Sequence, residues 1–412
     1  MPGASPEFTD ARRWLVCQLG AREHYAVARA LAGCGALAGL ATDAWIRPGS
    51  LTARLHRRLR DRYHAGLEQV SVKHWSEGLL AFELLARTRR RRGWPLILER
   101  NAWFQQRVSR WLKALPASAA GPKPVVFSYS YTAREPFRVA RARGWRTVLG
   151  QIDPGPVEAE IVAAEQRAFT GGRTRWTPPP ARYWQEWREE CALADRIVVN
   201  SAWSREALLQ IGIPAEKIVI VPLAYEASTS LKPARNYPSR FQAARPLRVL
   251  FLGQVNLRKG LARLLEAARL LAAEPVEFWM VGPLELFAVP DPRTTPNLKW
   301  FGAVPRGEVE RFYQEADVFL FPTLSDGFGL TQLEAQAQGL PLIATRRCGE
   351  VVRDGVNGLL LAEPTADAIA AGVRELLAQP GRMTAMAAAA GVESRFSLSS
   401  IGGQLLALAG PG

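Results

Sequence analysis

The sequence predicts an α/β protein built from two doubly wound domains in tandem. Three observations predict it. Short apolar runs alternate with amphipathic helical stretches through nearly all of the 412 residues, the pattern of parallel sheets with helices on both faces. That length exceeds what one ordinary core holds. The alternation breaks once, over residues 222–246, where Pro222, Pro233, Pro238 and Pro246 interrupt a stretch without periodicity that reads as an interdomain linker.

In the first half, strands are expected at Trp14–Leu19, Ala36–Thr42, Val125–Tyr129, Thr147–Ile152, Arg196–Asn200 and Ile218–Val221. Helices are expected near 22–32 and at Arg134–Ala142, Val157–Phe169, Tyr183–Ala194 and Ser204–Ile211. Residues 51–115 read as mostly helical and carry the run Arg89–Arg92, either a solvated helix end or a membrane-surface patch. Gly171–Pro180 reads as a loop from its Gly and Pro content. In the second half, strands are expected at Arg248–Leu252, Glu277–Val281, Leu298–Phe301, Val318–Phe321, Leu342–Ala344 and Gly358–Leu361, with helices such as Ala262–Leu271 and Glu308–Glu315 between them. Ligands of such sheets bind at the carboxyl ends of the strands.

Composition excludes several classes. Hydrophobic residues make up 48% and charged residues 22%, which speaks against wholesale disorder. The longest bland apolar run, Leu31–Thr42, is too short to span a bilayer, and the start of the chain does not read as a signal peptide. The four cysteines are dispersed without a CxxC pair, as expected of reduced thiols in a cytoplasmic protein. The net charge of +15 is unevenly placed: residues 1–245 hold 38 Lys and Arg against 21 Asp and Glu, the remainder 15 against 17. A basic first half suits an anionic membrane surface or acceptor. Arginine also supplies 46 of the 53 basic residues, so the excess equally fits a GC-rich coding bias. Nothing resembles a zinc finger, an RNP motif or a homeodomain helix, so nucleic acid is not an expected partner.

Two segments concentrate chemistry. In Phe251–Gly260 (FLGQVNLRKG) a strand ends on Gly253, then Arg258 and Lys259 precede a helix. Close backbone approach, two cations and a helix start favour a diphosphate, although a basic turn around a tight glycine is an alternative. In Phe321–Gly339 a strand ends at Pro322, the turn Asp326-Gly327-Phe328-Gly329 follows, and Leu330–Ala337 reads as a helix. Asp326 and Glu334 flank the turn, where carboxylates suit paired sugar hydroxyls. The backbone N–H groups of Gly329, Leu330 and Thr331 would face a phosphate. Capping by Asp326 and a structural Glu334 is the alternative.

Together with PNLKWFGAVPRGEVERFYQEADVFLFPT and CGEVVRDGVNGLLL, these segments make four motifs in order over residues 247–365. They resemble the donor domain of glycosyltransferase family 4, in the GT-B fold of two Rossmann-like domains facing across a cleft. The segment DRIVVNSAWSREALLQIGIPAEKIVIVPLAYE and the glycine after the first strand, Gly20, resemble the family's acceptor domain more loosely. The implied layout is an acceptor-binding domain at 1–222, a linker at 223–246, a nucleotide-sugar donor domain at 247–395, and a tail or helix at 396–412 packing back on the first domain.

The resemblance implies a retaining, metal-independent glycosyltransferase of hexosyl type. It would use a nucleoside-diphosphate sugar, UDP favoured over GDP, with no further cofactor. The acceptor would be a polysaccharide, lipid-linked or glycolipid hydroxyl, and the enzyme would be cytoplasmic or peripheral on the inner membrane face. A sugar-nucleotide epimerase or hydrolase of the same fold, or a non-catalytic scaffold, are the alternatives. By the resemblance, Lys259, with Arg258 as helper, contacts the diphosphate. Glu334 takes the ribose and Asp326 the donor-sugar hydroxyls. Gly253, Gln254, Gly327, Phe328, Gly329, Leu330 and Thr331 surround the sugar and diphosphate, while Gly302, Ala303 and Val304 line the base pocket beside Gly282.

Three departures from the family pattern stand out. Gln254 occupies the place of the usual phosphate-loop Arg, and Asp326 the place of the first Glu of the E-x7-E box. The usual acceptor-domain His after a middle strand is missing. Asp153, in GQIDPGP, is a candidate substitute or else a turn aspartate. His24, four residues after Gly20, is a candidate for touching donor or acceptor. His56, His64 and His74 read as surface residues.

Overall fold

The computed structural model describes residues 13–50, 61–116, 123–226, 234–289, 291–408 and 410. Two parallel sheets organise them. The first runs β3-β2-β1-β4-β5-β6-β7, from β1 (Trp14–Gln18), β2 (Leu37–Thr42), β3 (Val72–His74), β4 (Val125–Tyr129), β5 (Arg146–Gly150), β6 (Arg196–Val199) and β7 (Ile218–Ile220). The second runs β10-β9-β8-β11-β12-β13, from β8 (Leu247–Leu252), β9 (Val276–Val281), β10 (Leu298–Gly302), β11 (Val318–Phe321), β12 (Leu342–Thr345) and β13 (Gly358–Leu361).

Both faces of each sheet are covered, and the pleat divides each strand between two cores. In β1, Leu15 and Cys17 face one core while Trp14 and Val16 face the other. In β9, Val276, Phe278 and Met280 face one core and Trp279 and Val281 the opposite one. The helices supply the matching stripes. The helix Ala366–Ala378 buries Ile369, Ala370, Val373 and Leu376, positions three and four apart on one face. The larger of these, Ile369, Val373 and Leu376, each contribute roughly 1.5–3 kcal/mol of burial.

Residues 61–75 differ from the helical expectation: they hold a short 3-10 turn and β3, which pairs Val72–His74 with Leu40–Thr42 at the sheet edge. Three half-exposed residues have no periodicity to read. Helices do occupy Ser76–Thr88 and Gly93–Ala114, and Arg89–Arg92 is the exposed turn between them, with Arg90 at φ +53°.

The chain crosses between domains twice. After β7 it runs past Leu223 and Tyr225, and it returns through Val392 and Phe396. These residues meet in one small cluster, where the Tyr225 N–H donates to the Phe396 carbonyl at 2.8 Å. The final helix, Leu398–Ala407, buries Ile401 and Leu405 in the core of the first domain. Gly402 lies against Cys34 and the Ala30 carbonyl, leaving no room for a side chain.

In each sheet the strand order reverses once, between β1 and β4 and between β8 and β11. Connections diverge there and leave a crevice at the carboxyl ends. The loops singled out from the sequence, at Gly20, 253–260 and 322–329, all leave the sheets at these points.

Candidate active site

Three neighbouring strands of the second domain end on glycine. Gly253, Gly282 and Gly302 follow or close β8, β9 and β10 with φ of +145°, +135° and +68°. The Gly282 N–H donates to the Gly302 carbonyl at 2.7 Å, and the Gly253 N–H to the Val281 carbonyl at 3.0 Å. A Cβ on Gly282 would collide with the Gly253 carbonyl. The result is a ledge of bare backbone at the sheet's carboxyl edge; Ala303 follows it in the chain, and Val304 packs against the adjoining core.

Beside the ledge, two loops are fastened together. Gly260 (φ +84°) lies hard against the Pro322 carbonyl. The Leu324 N–H and the Thr323 hydroxyl both donate to the Arg258 carbonyl, at 2.9 and 3.1 Å. This fixes Lys259 and Arg258 above the turn that holds Asp326. The Lys259 ammonium is ion-paired with Asp326 and lies 4.6 Å from the centroid of the Phe321 ring. The Arg258 guanidinium stands 3.4 Å from Asp326 and 3.7 Å from Glu158 of the first domain. Burial works against the ionised form of Asp326. The Lys259 and Arg258 charges, with hydrogen bonds from Lys259 and the Phe328 N–H, outweigh it and hold the carboxyl at about 2. Glu158 goes the other way: burial, aided by the Asp153 and Asp326 charges, pushes it to about 7 against the pull of Arg258.

The first domain supplies the opposite wall. Buried Asp43 accepts the Gly20 N–H at 2.9 Å and pairs with Arg62 at 3.3 Å, which lays the Arg62 guanidinium directly over Gly20. Glu23, His24 and Tyr25 all adopt left-handed backbone conformations, with φ of +50°, +50° and +62°. Such conformations cost energy for residues with a Cβ and persist only where surrounding packing enforces them; here Tyr25 is fully buried. Between the walls lies a cleft of about 590 Å³ lined by Gly20, Arg22, Glu23, Arg62, Lys259, Asp326 and the Phe328–Leu330 turn. Three cations against two carboxylates make it receptive to an anion.

Other contacts tie the domains together around this cleft. Gly327 lies against the Ile152 carbonyl with no space for a Cβ. The Trp203 indole N–H donates to the Ser325 hydroxyl at 3.0 Å, and Ser325 donates to Glu158 at 2.9 Å.

The structure thus brings Gly20, Lys259, Arg258, Asp326, Gly327, Gly329 and Leu330 together. Thr331 opens the helix Thr331–Ala337 behind them. Phe328 contributes backbone only, because its ring is buried against Phe396. Glu334 sits on the first turn of that helix and accepts from the Tyr313 hydroxyl at 2.7 Å, outside the lining of the cleft. Gln254 is exposed and lines a second cavity instead.

Asp153 holds its turn, its Oδ1 accepting from the Tyr131 hydroxyl at 2.7 Å, the Gly155 N–H at 2.9 Å and Gln151 Nε2 at 3.2 Å, and it also lines the second cavity with Gln254. His24 does not line the cleft; the neighbouring Arg22 and Glu23 do. Partial desolvation, and then the Arg306 and Arg29 charges, lower the pKa of His24. His64 and His74 border a separate cavity of the first domain, and His56 lies outside the described residues. Sequence reasoning missed Glu158, Arg62 and Trp203. The only signal for Glu158 was its place in the first turn after IDPGP, and none pointed to its partners a hundred residues away.

Residues 246–379 match the family described as Glycosyl transferases group 1. The chain is 30% identical over 188 residues to the amylovoran biosynthesis glycosyltransferase AmsK of Erwinia amylovora, covering 42% of this chain and 45% of that protein. It is 28% identical over 295 residues to D-inositol 3-phosphate glycosyltransferase 1 of Catenulispora acidiphila, covering 66% and 68%. The aligned stretches therefore span about half to two thirds of these relatives. Among solved structures, HepE of Anabaena in complex with UDP superposes with a TM-score of 0.59 at 16% identity, over 96% of this chain and 99% of that one. Residues 246–379 thus carry the group 1 glycosyl transferase match, and the two facing sheets give the chain the GT-B architecture.

Proposed function

We propose that the protein is a retaining glycosyltransferase that moves a sugar from a nucleoside-diphosphate sugar to a saccharide, polysaccharide or lipid-linked hydroxyl. The observation that carries this is the pairing of Lys259 with Asp326 in the anion-receptive cleft, with the glycine ledge beside it. A diphosphate entering that cleft competes for the Lys259 ammonium, and the carboxylate so released is free to accept sugar hydroxyls. UDP is favoured over GDP as the leaving nucleotide, in keeping with the UDP bound to HepE. A polysaccharide acceptor is in keeping with the relative from amylovoran biosynthesis.

In the proposed reaction the acceptor oxygen bonds to the anomeric carbon as the bond from that carbon to the diphosphate breaks. The acceptor proton passes to the departing diphosphate oxygen on the same face, so configuration is retained. Lys259 and Arg258 stabilise charge growing on the leaving group, and contacts such as Gly327 on Ile152 keep water out. These two cations take the place that a metal would fill, so added magnesium is not expected to be required. With a panel of nucleotide sugars and simple glycosides, the released nucleotide and the NMR configuration of the product test the reading. Retained product lost in Asp326→Ala supports it; inverted product, or turnover only with magnesium, refutes the corresponding part.

A lipid-linked acceptor would approach, in this proposal, at the tip between Ser76–Thr88 and Gly93–Ala114. No helix among the described residues is long and apolar enough to cross a membrane. At this tip, however, Leu84, Leu85 and Ile97 are 64%, 47% and 37% exposed next to Arg89–Arg92. Apolar side chains beside a cationic run suit an anionic bilayer surface.

A further inference from the structure

A second cavity, of about 280 Å³, lies between the domains with Arg258 in its wall. Its walls come from the helices Pro156–Ala168 and Ala181–Leu193, the 174–179 segment, and residues 254–258 and 285–286 of the second domain. The 173–175 segment roofs it by pairing across the interface. The Arg175 N–H donates to the Glu285 carbonyl at 2.9 Å, and the Phe287 N–H to the Arg173 carbonyl at 3.0 Å. The cavity therefore exists only while the two domains are together.

Its lining is aromatic on one side. Tyr183 stacks on Tyr131 at 4.3 Å between centroids and meets the edges of Trp94 and Trp184 at 4.8 and 5.0 Å, with half-buried Trp176 alongside. Polar side chains share the lining, with Asp153, Glu158, Gln254, Asn256 and Glu285 around the same space. Its one lining cation, Arg258, is already engaged by Glu158 and Asp326. An aromatic cluster bordered by carboxylates and amides matches a pyranose ring, whose C–H face is apolar and whose rim is hydroxylated. With no cation to spare among its lining residues, the site disfavours an anionic sugar.

We infer that this interdomain cavity is a saccharide subsite for the acceptor, selective for a neutral pyranose over a hexuronate. The inference rests on the glycosyltransferase reading for the word acceptor, and on the cavity alone for the binding. Arg258, shared between this cavity and Asp326, places the bound sugar one side chain from the proposed transfer centre.

Saturation-transfer NMR on the full chain, without nucleotide, tests it using the methyl glycosides of glucose, galactose and mannose, with glucuronate as the anionic comparison. At least one neutral glycoside is expected to bind, about tenfold more weakly in Trp176→Ala and near the original strength in Trp176→Phe, which keeps a ring. Melting of each variant, compared with the unsubstituted protein, checks folding. Absence of any neutral-glycoside signal, unchanged binding in a folded Trp176→Ala, or preference for glucuronate overturns the inference. Because no nucleotide or turnover enters the measurement, its failure leaves the donor reading untouched, and a failed donor site leaves this result standing.

Discussion

Asp326 and Glu158 are two carboxyls on opposite domains that share Arg258, and their environments drive them apart. Asp326 gains two cations and stays ionised throughout the ordinary pH range; Glu158, buried with one shared cation and two like charges nearby, rises to about 7. The consequence for stability has a definite sign. Glu158 ionises near 4.5 when unfolded and near 7 when folded, so between these values the folded chain holds more protons. Its effect is to lower stability as pH climbs from about 4.5 to 7, by at most roughly 3 kcal/mol. Asp326 acts oppositely, its stabilisation being lost only as pH falls below 3.8 through about 2. Glu158→Gln should therefore melt higher than the unsubstituted protein at about pH 8 and lose that advantage at about pH 5. Parallel melting curves for the two proteins at both pH values would show Glu158 titrating normally. Lys259 and Asp326 were legible in the sequence because each sits in a local motif. Glu158 and Arg62 were not, because each acquires its role from a partner brought near only by the fold.

At the scale of elements, the glycine ledge makes the sharpest distinction. Gly282 has both a positive φ and a carbonyl where its Cβ would sit; Gly302 has the positive φ but open space. Denaturant unfolding should find Gly282→Ala destabilised by more than about 3 kcal/mol and Gly302→Ala by about 1–2 kcal/mol. Equal losses would mean that conformational strain alone, and not the close approach of β8 and β9, governs the ledge. Most strands were readable because burial on both faces leaves near-continuous apolar runs such as VFLF at Val318–Phe321. β3 was not, since its exposed polar edge position carries no such signature. Gln254 and Asp153 both have a place at this scale. Gln254 borders the aromatic cavity, and Asp153, which also borders it, pins the turn from β5 into the next helix.

For the whole molecule, the two sheets present their switch points to one another, and the chain is stitched across by both the linker and the terminal helix. Trp203, Ser325, Glu158 and Arg258 continue that stitching beside the cleft, so ligand binding and domain closure are expected to be linked. The basic first half has its own outlet at the Leu84–Ile97 tip. Sedimentation with anionic vesicles should bring the protein down at low salt, with binding reduced by high salt and by the Leu84→Ser, Leu85→Ser double substitution. Unchanged sedimentation of the double variant would remove the tip from the account. The cleft around Lys259 and Asp326 is expected to hold a nucleoside diphosphate, and thermal unfolding with UDP, GDP, ADP and TDP measures this. A nucleotide at about one hundred times its dissociation constant should stabilise the fold by about 2.7 kcal/mol, with UDP giving the largest shift and Lys259→Ala abolishing it. No shift with any nucleotide, or one that survives in Lys259→Ala, would contradict the assignment of this cleft as the donor site.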